Sequence, residues 1–290
     1  MLDGGEPRNA PSSSVHGFFT RDGVGPGELL EIGREQLEPY DSVEYRAVGA
    51  TEVSGLDGSF AVTLEDGDEV TARKLLLATG VVDELPERPG FRKLWGRSVY
   101  HCPYCHGWEV RDRPLAVLNS GKGAVEYSLL IRNWSRDLVL LTDGPAELEE
   151  ADLRKLHALG MPVNEKPVAR LEGREGGSEG LSRVTFEDGS FLEREGLFYG
   201  PPQRQRSELA ESLGCKVVEA GPAWVVEADA LTNETTVPGV YVGGDAVGPL
   251  QSVVMAATSG ASAAAFLNKA LCDEDAAAEA SSIASRPNQS

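Results

Sequence analysis

The stretch "PLAVLNSGKGAVEYSLLIRNWSRDLVLLTDG", residues 114–144, indicates the fold class of this chain. An apolar run is followed by a glycine-containing turn, an amphipathic stretch and a second apolar run. This order predicts a strand–helix–strand unit of the usual length. A further helical pattern, "EEADLRKLHALGM", follows at residues 149–161. Because strands alternate with helices, the sequence predicts a doubly wound α/β architecture with parallel sheets.

Segments on both sides of this unit carry strand patterns of their own. Alternating runs flank Asp66-Gly67, which predicts a β-hairpin. "KLLLATG" (74–80) and "GVYVGGDAVG" (239–248) each predict a buried strand that ends on glycine. The small-residue stretch 252–267 then predicts a buried helix. The sequence therefore predicts two Rossmann-like nucleotide-binding domains, one inserted in the other.

The predicted boundaries follow from these patterns. We expect the first part of one domain at residues 1–88, the inserted domain at 89–203 and the second part at 204–272. "GREGGSEG" (173–180) predicts a hairpin tip or loop. The polar, biased segment 273–290 predicts a disordered tail.

Composition narrows the function classes. The 290 residues carry a formal net charge of −19, with 41% hydrophobic and 25% charged residues. Such acidity argues against nucleic acid and anionic membranes as partners, because both would be repelled. The sequence shows no export signal, and its longest apolar stretch is too short and polar to span a bilayer. We therefore expect a cytoplasmic protein.

The segment "YHCPYCHGWE" (100–109) places two of the four cysteines and two of the four histidines within six positions. A zinc half-site would need a second ligand pair, but Cys215 and Cys272 stand alone. Haem attachment through Cys-x-x-Cys-His would normally require export. Two buried small hydrophobic residues are a further reading. The remaining reading is a redox dithiol, whose two sulfurs close a small ring. We predict this redox role, and no metal site.

Four segments together resemble a known family: "HCPYCHGWE", "LLLATGVVDELP", "VYVGGDAVG" and "LQSVVMAATSGASAAAFLNKAL". The chain resembles, from residue 2 to about 271, the low-molecular-weight thioredoxin reductases among the FAD-dependent pyridine nucleotide-disulphide oxidoreductases. It is most similar to their CPYCHG branch, which includes dithiol oxidases of epidithio natural products. The resemblance implies an FAD flavoprotein with NAD(P)-linked electron supply, two nucleotide domains and a homodimeric state.

The resemblance also implies roles for individual residues. Cys102 would attack the substrate disulphide, Cys105 would exchange electrons with the flavin, and His106 would be the acid/base. The predicted cofactor-binding residues are Asp3, Arg8, Asn9, Thr79, Gly80, Gly121, Gly123, Gly244, Asp245, Gln251 and Ser252.

Two features depart from the family pattern. The strand and G-x-G-x-x-G loop that cradle FAD pyrophosphate in the family are missing before "MLDGG". We expect either a start upstream of Met1 or a fragment. In the second glycine loop, "NSGKGA" (119–124), Asn119 replaces the first glycine. Acidic residues (Asp143, Glu147, Glu149 and Glu150) follow the next strand, where NADPH users have basic ones, so NADPH is disfavoured and NADH or another donor stays open.

The leading functional hypothesis is a flavin-dependent dithiol–disulphide oxidoreductase that exchanges electrons between FAD and a substrate through Cys102 and Cys105. The expected partner is a thioredoxin-like protein or a small disulphide or dithiol. One alternative is an oxygen-using dithiol oxidase of a small molecule. Another is a truncated, FAD-free remnant without activity.

Overall fold

The computed structural model describes residues 1–174 and 180–285. Its α-helices are α1 (Pro26–Glu35), α2 (Phe91–Leu94), α3 (Pro103–His106), α4 (Ala124–Ile131), α5 (Glu150–Ala158), α6 (Leu209–Ser212) and α7 (Val253–Ala284). A 3-10 helix covers Gly244–Val247.

The strands of the first half are β1 (Ala50–Leu56), β2 (Ser59–Leu64), β3 (Glu69–Ala72), β4 (Leu75–Leu77), β5 (Val81–Asp83), β6 (Val99–Tyr100), β7 (Leu115–Leu118), β8 (Leu138–Leu141) and β9 (Val163–Asn164). The remaining strands are β10 (Val168–Gly173), β11 (Leu181–Phe186), β12 (Phe191–Glu193), β13 (Gly196–Tyr199), β14 (Gln203–Gln205), β15 (Val217–Ala220), β16 (Ala223–Val226) and β17 (Val240–Val242).

The chain forms two compact units. The first unit comprises residues 1–8, 37–83 and 203–290, and the second comprises 9–36 and 84–202. The second unit thus interrupts the first in sequence. The predicted domain changes lie at 88/89 and 203/204. Residues 9–36 group with the second unit, which no local pattern in the sequence indicates.

The second unit is built on a five-stranded sheet in the order β6-β13-β7-β8-β9, with all neighbours parallel. All four residues of β7 and of β8 are buried, as expected when both faces of a parallel sheet are covered. Because side chains alternate across a strand, Leu115 and Val117 pack with α4 and α5. Ala116 and Leu118 pack instead against the antiparallel sheet β10-β11-β12. The predicted strand–helix–strand unit and α/β class are confirmed.

The first unit contains three smaller sheets. The antiparallel sheet β1-β2-β3 includes the predicted hairpin at Gly67, whose φ is +90°. A second sheet has the order β15-β16-β14-β5. In a third, β4 and β17 pair in parallel. β17 is buried as predicted, whereas in β4 only Leu77 is fully buried.

Helix α7 corrects two expectations from the sequence. The predicted helix forms, but Ala263 is its one fully buried residue among those described. Its small side chains allow a close approach on one face, where a Cβ on Gly243 would lie 3.2 Å from the Gly260 Cα. The other faces of α7 remain largely exposed.

The segment expected to be a disordered tail from residue 273 is helical through Ala284. Its alanine-rich sequence favours a helix, and Glu274 and Asp275 form ion pairs with Arg73. Residues 286–290 lie outside the described part, as do residues 175–179 of the predicted loop at 173–180. No described helix is both long and apolar enough to cross a membrane.

Candidate active site

The cysteine pair lies in the second unit, directly after edge strand β6. Cys102 and Cys105 form a disulphide, with their Cα atoms 5.3 Å apart. Pro103 begins the single-turn helix α3, a position that tolerates the missing N–H of proline. The Cys105 backbone N–H donates a hydrogen bond to the Cys102 sulfur at 3.2 Å. Such a donor stabilises a thiolate at Cys102 once the disulphide is reduced.

The end of α3 is held by close packing. Gly107 is buried, and a Cβ at this position would lie 2.4 Å from the Pro103 carbonyl oxygen and 2.6 Å from Trp134 Nε1. No side chain fits there without displacing backbone. On the other side of the turn, the Tyr127 hydroxyl donates to the His101 carbonyl oxygen at 2.7 Å. The turn that carries both cysteines is therefore fixed to α4 and to the segment after it.

His106 is stacked on Tyr100, the last residue of β6. The two ring centroids are 4.6 Å apart, and the ring planes are inclined by 21°. Burial raises the pKa of Tyr100 to about 12, so this ring stays neutral. Burial also lowers the pKa of His106, although the nearby Glu109 carboxylate opposes this shift. His106 is therefore neutral at pH 7, as a proton acceptor must be.

The Ser12 hydroxyl provides a polar contact to His106 that the sequence analysis missed. Ser12 Oγ lies 3.0 Å from His106 Nε2, although 94 positions separate the two residues. Both belong to the second unit, because residues 9–36 fold with it. The sequence around Ser12, a run of three serines, gives no local signal for this role. We call Cys102, Cys105, His106, Ser12 and Tyr100 the dithiol site.

The surface beside the disulphide is aromatic. Tyr104 and Trp108 are 72% and 61% exposed, although packing is the more common role for such residues. The Arg111 guanidinium lies 4.0 Å from the centroid of the Trp108 ring. Two exposed aromatic side chains, one of them covered by an arginine, thus adjoin the cysteines in the sequence.

A second polar group, which we call the Arg8 cluster, lies in the first unit. Arg8 pairs with both oxygens of Asp83, at 2.8 and 2.6 Å, and with Asp245 at 3.0 Å. It also donates to Gln251. Gln203 joins Asp83 to Gln251 through bonds of 3.0 and 2.7 Å. Three predicted cofactor residues thus meet here, together with Asp83 and Gln203, which sequence reasoning missed. Burial lowers the pKa of Arg8, but the bonds and charge of Asp83 lead to a net increase.

Other predicted cofactor residues lie nearby in the first unit. Ser252 caps α7 by accepting a hydrogen bond from the Met255 N–H at 3.3 Å. Gly244 has a φ of +75° and open space where a Cβ would lie. Thr79 is half-buried and precedes Gly80, whose φ is +70°. Asp245 and Gln251 pair with Arg8, so the open backbone at Gly244 and the N-terminus of α7 are the features that would accommodate a flavin beside them. These residues therefore fit one side of a flavin.

Asp3 and Asn9 are placed differently. Asp3 accepts hydrogen bonds from the Gly5 N–H at 2.9 Å and from the Tyr45 hydroxyl at 3.3 Å. Asn9 is exposed and belongs to the second unit, apart from Arg8 in the division of the chain. Arg8 and Asn9 are therefore adjacent in the sequence but belong to different units.

The glycine loop between β7 and α4 follows the carboxyl end of its strand, where nucleotides bind in such sheets. The Ser120 N–H donates to Asn119 Oδ1 at 2.8 Å, and the Gly121 N–H donates to the Ala146 carbonyl at 3.2 Å. Two amides of this loop are thus already bonded within the protein. Gly123 is the N-cap of α4 and has open space at its Cβ position. The loop is a poor fit for the phosphates of a nicotinamide dinucleotide.

The predicted acidic selectivity residue after β8 is also engaged. Asp143 accepts from the Val168 N–H at 2.7 Å and pairs with Arg88 at 2.6 Å. Sequence reasoning missed Arg88. Its positive charge offsets the negative charge of Asp143, which weakens the predicted repulsion of a 2′-phosphate. Glu147, Glu149 and Glu150 are exposed. Among the described residues, no group of three or more His, Cys, Asp or Glu could hold a metal ion.

Comparisons with known proteins define the class. The family profile described as "Pyridine nucleotide-disulphide oxidoreductase" matches residues 19–261. The chain belongs to this family, which generally binds FAD, and the family predicted from the sequence is confirmed. It is a thioredoxin-reductase-like oxidoreductase that acts on sulfur groups, as the sequence analysis predicted.

Individual relatives give the same picture. The chain is 31% identical to "Thioredoxin reductase sirT" of Leptosphaeria maculans, over 96% of this chain and 88% of that protein. The crystal structure of HlmI has a TM-score of 0.88 at 40% identity, and covers 98% of this chain and 87% of that one. An oxidoreductase from Agrobacterium tumefaciens has a TM-score of 0.87 at 33% identity, covering 93% and 89%.

Proposed function

We propose that the chain is a flavin-dependent oxidoreductase in which Cys102 and Cys105 exchange electrons with a substrate disulphide or dithiol. The observation that carries this proposal is the Cys102–Cys105 disulphide followed directly by a half-buried, neutral His106. The Cys105 N–H bond to the Cys102 sulfur favours Cys102 as the thiolate that attacks the substrate. Cys105 is then the thiol that returns to Cys102 and re-forms the disulphide.

The exchange balances as follows when the substrate is a dithiol. Two substrate thiols lose two electrons and two protons and become a disulphide, while Cys102–Cys105 gains them and becomes a dithiol. His106 takes the proton of the attacking thiol and returns it to the thiolate that leaves. FAD, when bound, supplies the two-electron exchange with the cysteine pair. Arg8, Asp245, Gln251 and the start of α7 are the residues that would hold it.

The substrate class follows from the surface of the dithiol site. Exposed Tyr104 lies between the two cysteines in the chain, and exposed Trp108 follows them. This surface suits either a small apolar disulphide or dithiol or the face of a thioredoxin-like protein. We also propose a homodimer in a reducing compartment such as the cytoplasm. Two cysteines that remain unbridged, buried Cys215 and exposed Cys272, agree with such a compartment.

A specific observation favours a second candidate, an oxygen-using dithiol oxidase. The Ser120 and Gly121 N–H groups already donate to Asn119 Oδ1 and to the Ala146 carbonyl, which weakens the case for a nicotinamide donor. In this direction the substrate dithiol supplies the electrons, and molecular oxygen accepts two electrons and two protons as hydrogen peroxide. Anaerobic mixing of the FAD-loaded chain with NADPH or NADH distinguishes the two directions. Flavin bleaching would support the reductase, and an unchanged flavin spectrum would support the oxidase.

The proposed function is tested with dithiothreitol as a probe dithiol and three serine variants. Wild-type chain supplied with FAD should retain flavin absorbance and lose it on anaerobic addition of dithiothreitol. Cys102→Ser and Cys105→Ser should each abolish this bleaching, because the cysteine pair carries the electrons. Cys272→Ser, an exposed free cysteine, is the matched control and should behave as the wild type. Full bleaching in Cys102→Ser, or no retained FAD, would contradict the proposal.

A further inference from the structure

The hydroxyl of Ser12 has every hydrogen-bonding position in use. Its proton is donated to the Ser14 carbonyl oxygen at 2.9 Å. Its lone pairs face the Ser14 N–H at 3.4 Å and His106 Nε2 at 3.0 Å. A serine hydroxyl has one donor and two acceptor positions. The hydroxyl has one proton, and the Ser14 carbonyl can only accept; with that proton on Ser14, Ser12 Oγ accepts from His106 Nε2.

This assignment determines the tautomer of His106. If Ser12 Oγ accepts, Nε2 of the neutral imidazole carries the hydrogen and Nδ1 carries the lone pair. Nδ1 is buried and has no hydrogen-bond partner among the residues that the structure describes. Leaving such an atom unpaired is costly in a folded protein, and such sites are often functional. The lone pair of Nδ1 is therefore not used by any group that the structure describes.

The surroundings of His106 favour a neutral ring that can still be protonated. Tyr100 covers one face of the ring and is neutral itself. Burial lowers the pKa of His106, the charge of Glu109 raises it, and His16 and His101 lower it further. A Ser12 Oγ that accepts from Nε2–H can keep doing so when Nδ1 gains a proton. The contact thus holds the ring in one orientation both when His106 is neutral and when it is protonated.

We propose that Ser12 is a positioning residue: its hydroxyl accepts from the Nε2–H of His106 and so fixes the tautomer and the orientation of this ring. The assignment rests on the proposed dithiol–disulphide function.

The first test reads the tautomer directly and does not depend on activity. In a chain with ¹⁵N-labelled histidine, two-bond ¹H–¹⁵N correlation spectra distinguish a protonated ring nitrogen from one with a lone pair. The spectra of His106→Gln identify the His106 signals among the four histidines. Wild-type His106 should show a protonated Nε2 at pH 7, and Ser12→Ala should lose this single pattern. A wild-type ring protonated at Nδ1 would overturn the proposal even if every Ser12 variant failed to fold.

The second test measures the reduction of Cys102–Cys105 by dithiothreitol, with acid quenching, alkylation and mass detection, so no flavin is needed. Ser12→Ala should slow this reaction roughly three- to tenfold, the size of one lost hydrogen bond, and change its pH profile. Ser12→Thr keeps the hydroxyl and should restore both. Ser13→Ala removes an adjacent exposed serine and should match the wild type.

The outcomes separate this inference from the proposed function. Unchanged rate, pH profile and tautomer in Ser12→Ala would show that Ser12 is only a turn residue and overturn the inference. A loss in Ser12→Ala that Ser12→Thr does not restore would also count against it. If the flavin experiment with Cys102→Ser fails while the His106 tautomer depends on Ser12, the proposed function falls and the hydrogen-bond assignment alone remains.

Discussion

The dithiol site and the Arg8 cluster are both partly buried polar groups, but they satisfy their hydrogen bonds differently. Around Arg8, two carboxylates and two amides pair with one guanidinium and with each other. In the dithiol site, His106 Nδ1 is buried without a described partner. A cluster that is internally paired holds chain segments together, whereas an unpaired buried nitrogen keeps its lone pair. The comparison indicates a set of mutually paired residues beside the proposed flavin position in the first unit, and an unpaired base in the second.

The largest expected effect comes from removing the base. His106→Gln should slow reduction of the disulphide by dithiothreitol roughly 10²–10⁴-fold, because proton transfer by a positioned side chain is lost. The rate is measured by quenched alkylation over a range of pH. His157→Gln, on helix α5, is the matched control and should keep the wild-type rate. A loss below tenfold in His106→Gln would make the histidine structural, and the contrast between the two regions would disappear.

The Arg8 cluster should respond in stability. Arg8→Met leaves the carboxylates of Asp83 and Asp245 without their cation, which should lower the free energy of unfolding by roughly 2–3 kcal/mol. Urea denaturation of the full chain measures the change. Arg21→Met, at an exposed arginine that donates to the Thr20 carbonyl, should alter stability little. Equal losses in both variants would show that the cluster does not support the fold.

A steric change sharpens the comparison inside the dithiol site. Gly107→Ala places a Cβ within 2.4 Å of the Pro103 carbonyl oxygen. Such overpacking should cost about 1–3 kcal/mol of unfolding free energy and disturb the turn that carries the cysteines. Gly27→Ala in helix α1, where no atom lies within 4 Å of the new Cβ, is the control. Thermal denaturation should show the loss only at Gly107; an unaffected Gly107→Ala would contradict the close packing.

The smallest effect concerns pH. The pKa of His106 in the folded chain lies below its ordinary value of 6.5, mainly because of burial. Between the two values the unfolded chain binds more protons, so stability should fall as pH is lowered through 6.5. Urea midpoints between pH 7.5 and pH 5 measure this slope, which His106→Gln should reduce. Glu109, His16 and His101 influence the same titration. An unchanged slope in the variant would assign the pH dependence to other groups.

Local patterns predicted much of the framework. The alternation of apolar runs and glycine turns around residues 114–144 gave β7, α4 and β8, and Asp66-Gly67 marked the β2–β3 hairpin. They did not predict how far α7 would be buried or where it would end. Periodicity shows that a stretch can be helical, whereas burial depends on which other elements pack against it. For the segment after residue 273, carboxylate pairing with Arg73 and a high helix propensity outweighed the polar composition.

The sequence by itself determined the α/β class, the close pair of cysteines and the family, because each depends on residues close together in the chain. Only the tertiary structure brought Ser12 to His106 across 94 positions and Arg8 to Asp245 across 237. It also bonded the Gly121 N–H to the Ala146 carbonyl and paired Asp143 with Arg88. A hydrogen bond between distant residues requires distance and direction in the folded chain, and no one-dimensional pattern carries these. The residues that suit the chemistry can therefore be recognised in the local sequence, whereas the contact that positions His106 forms only in the folded chain.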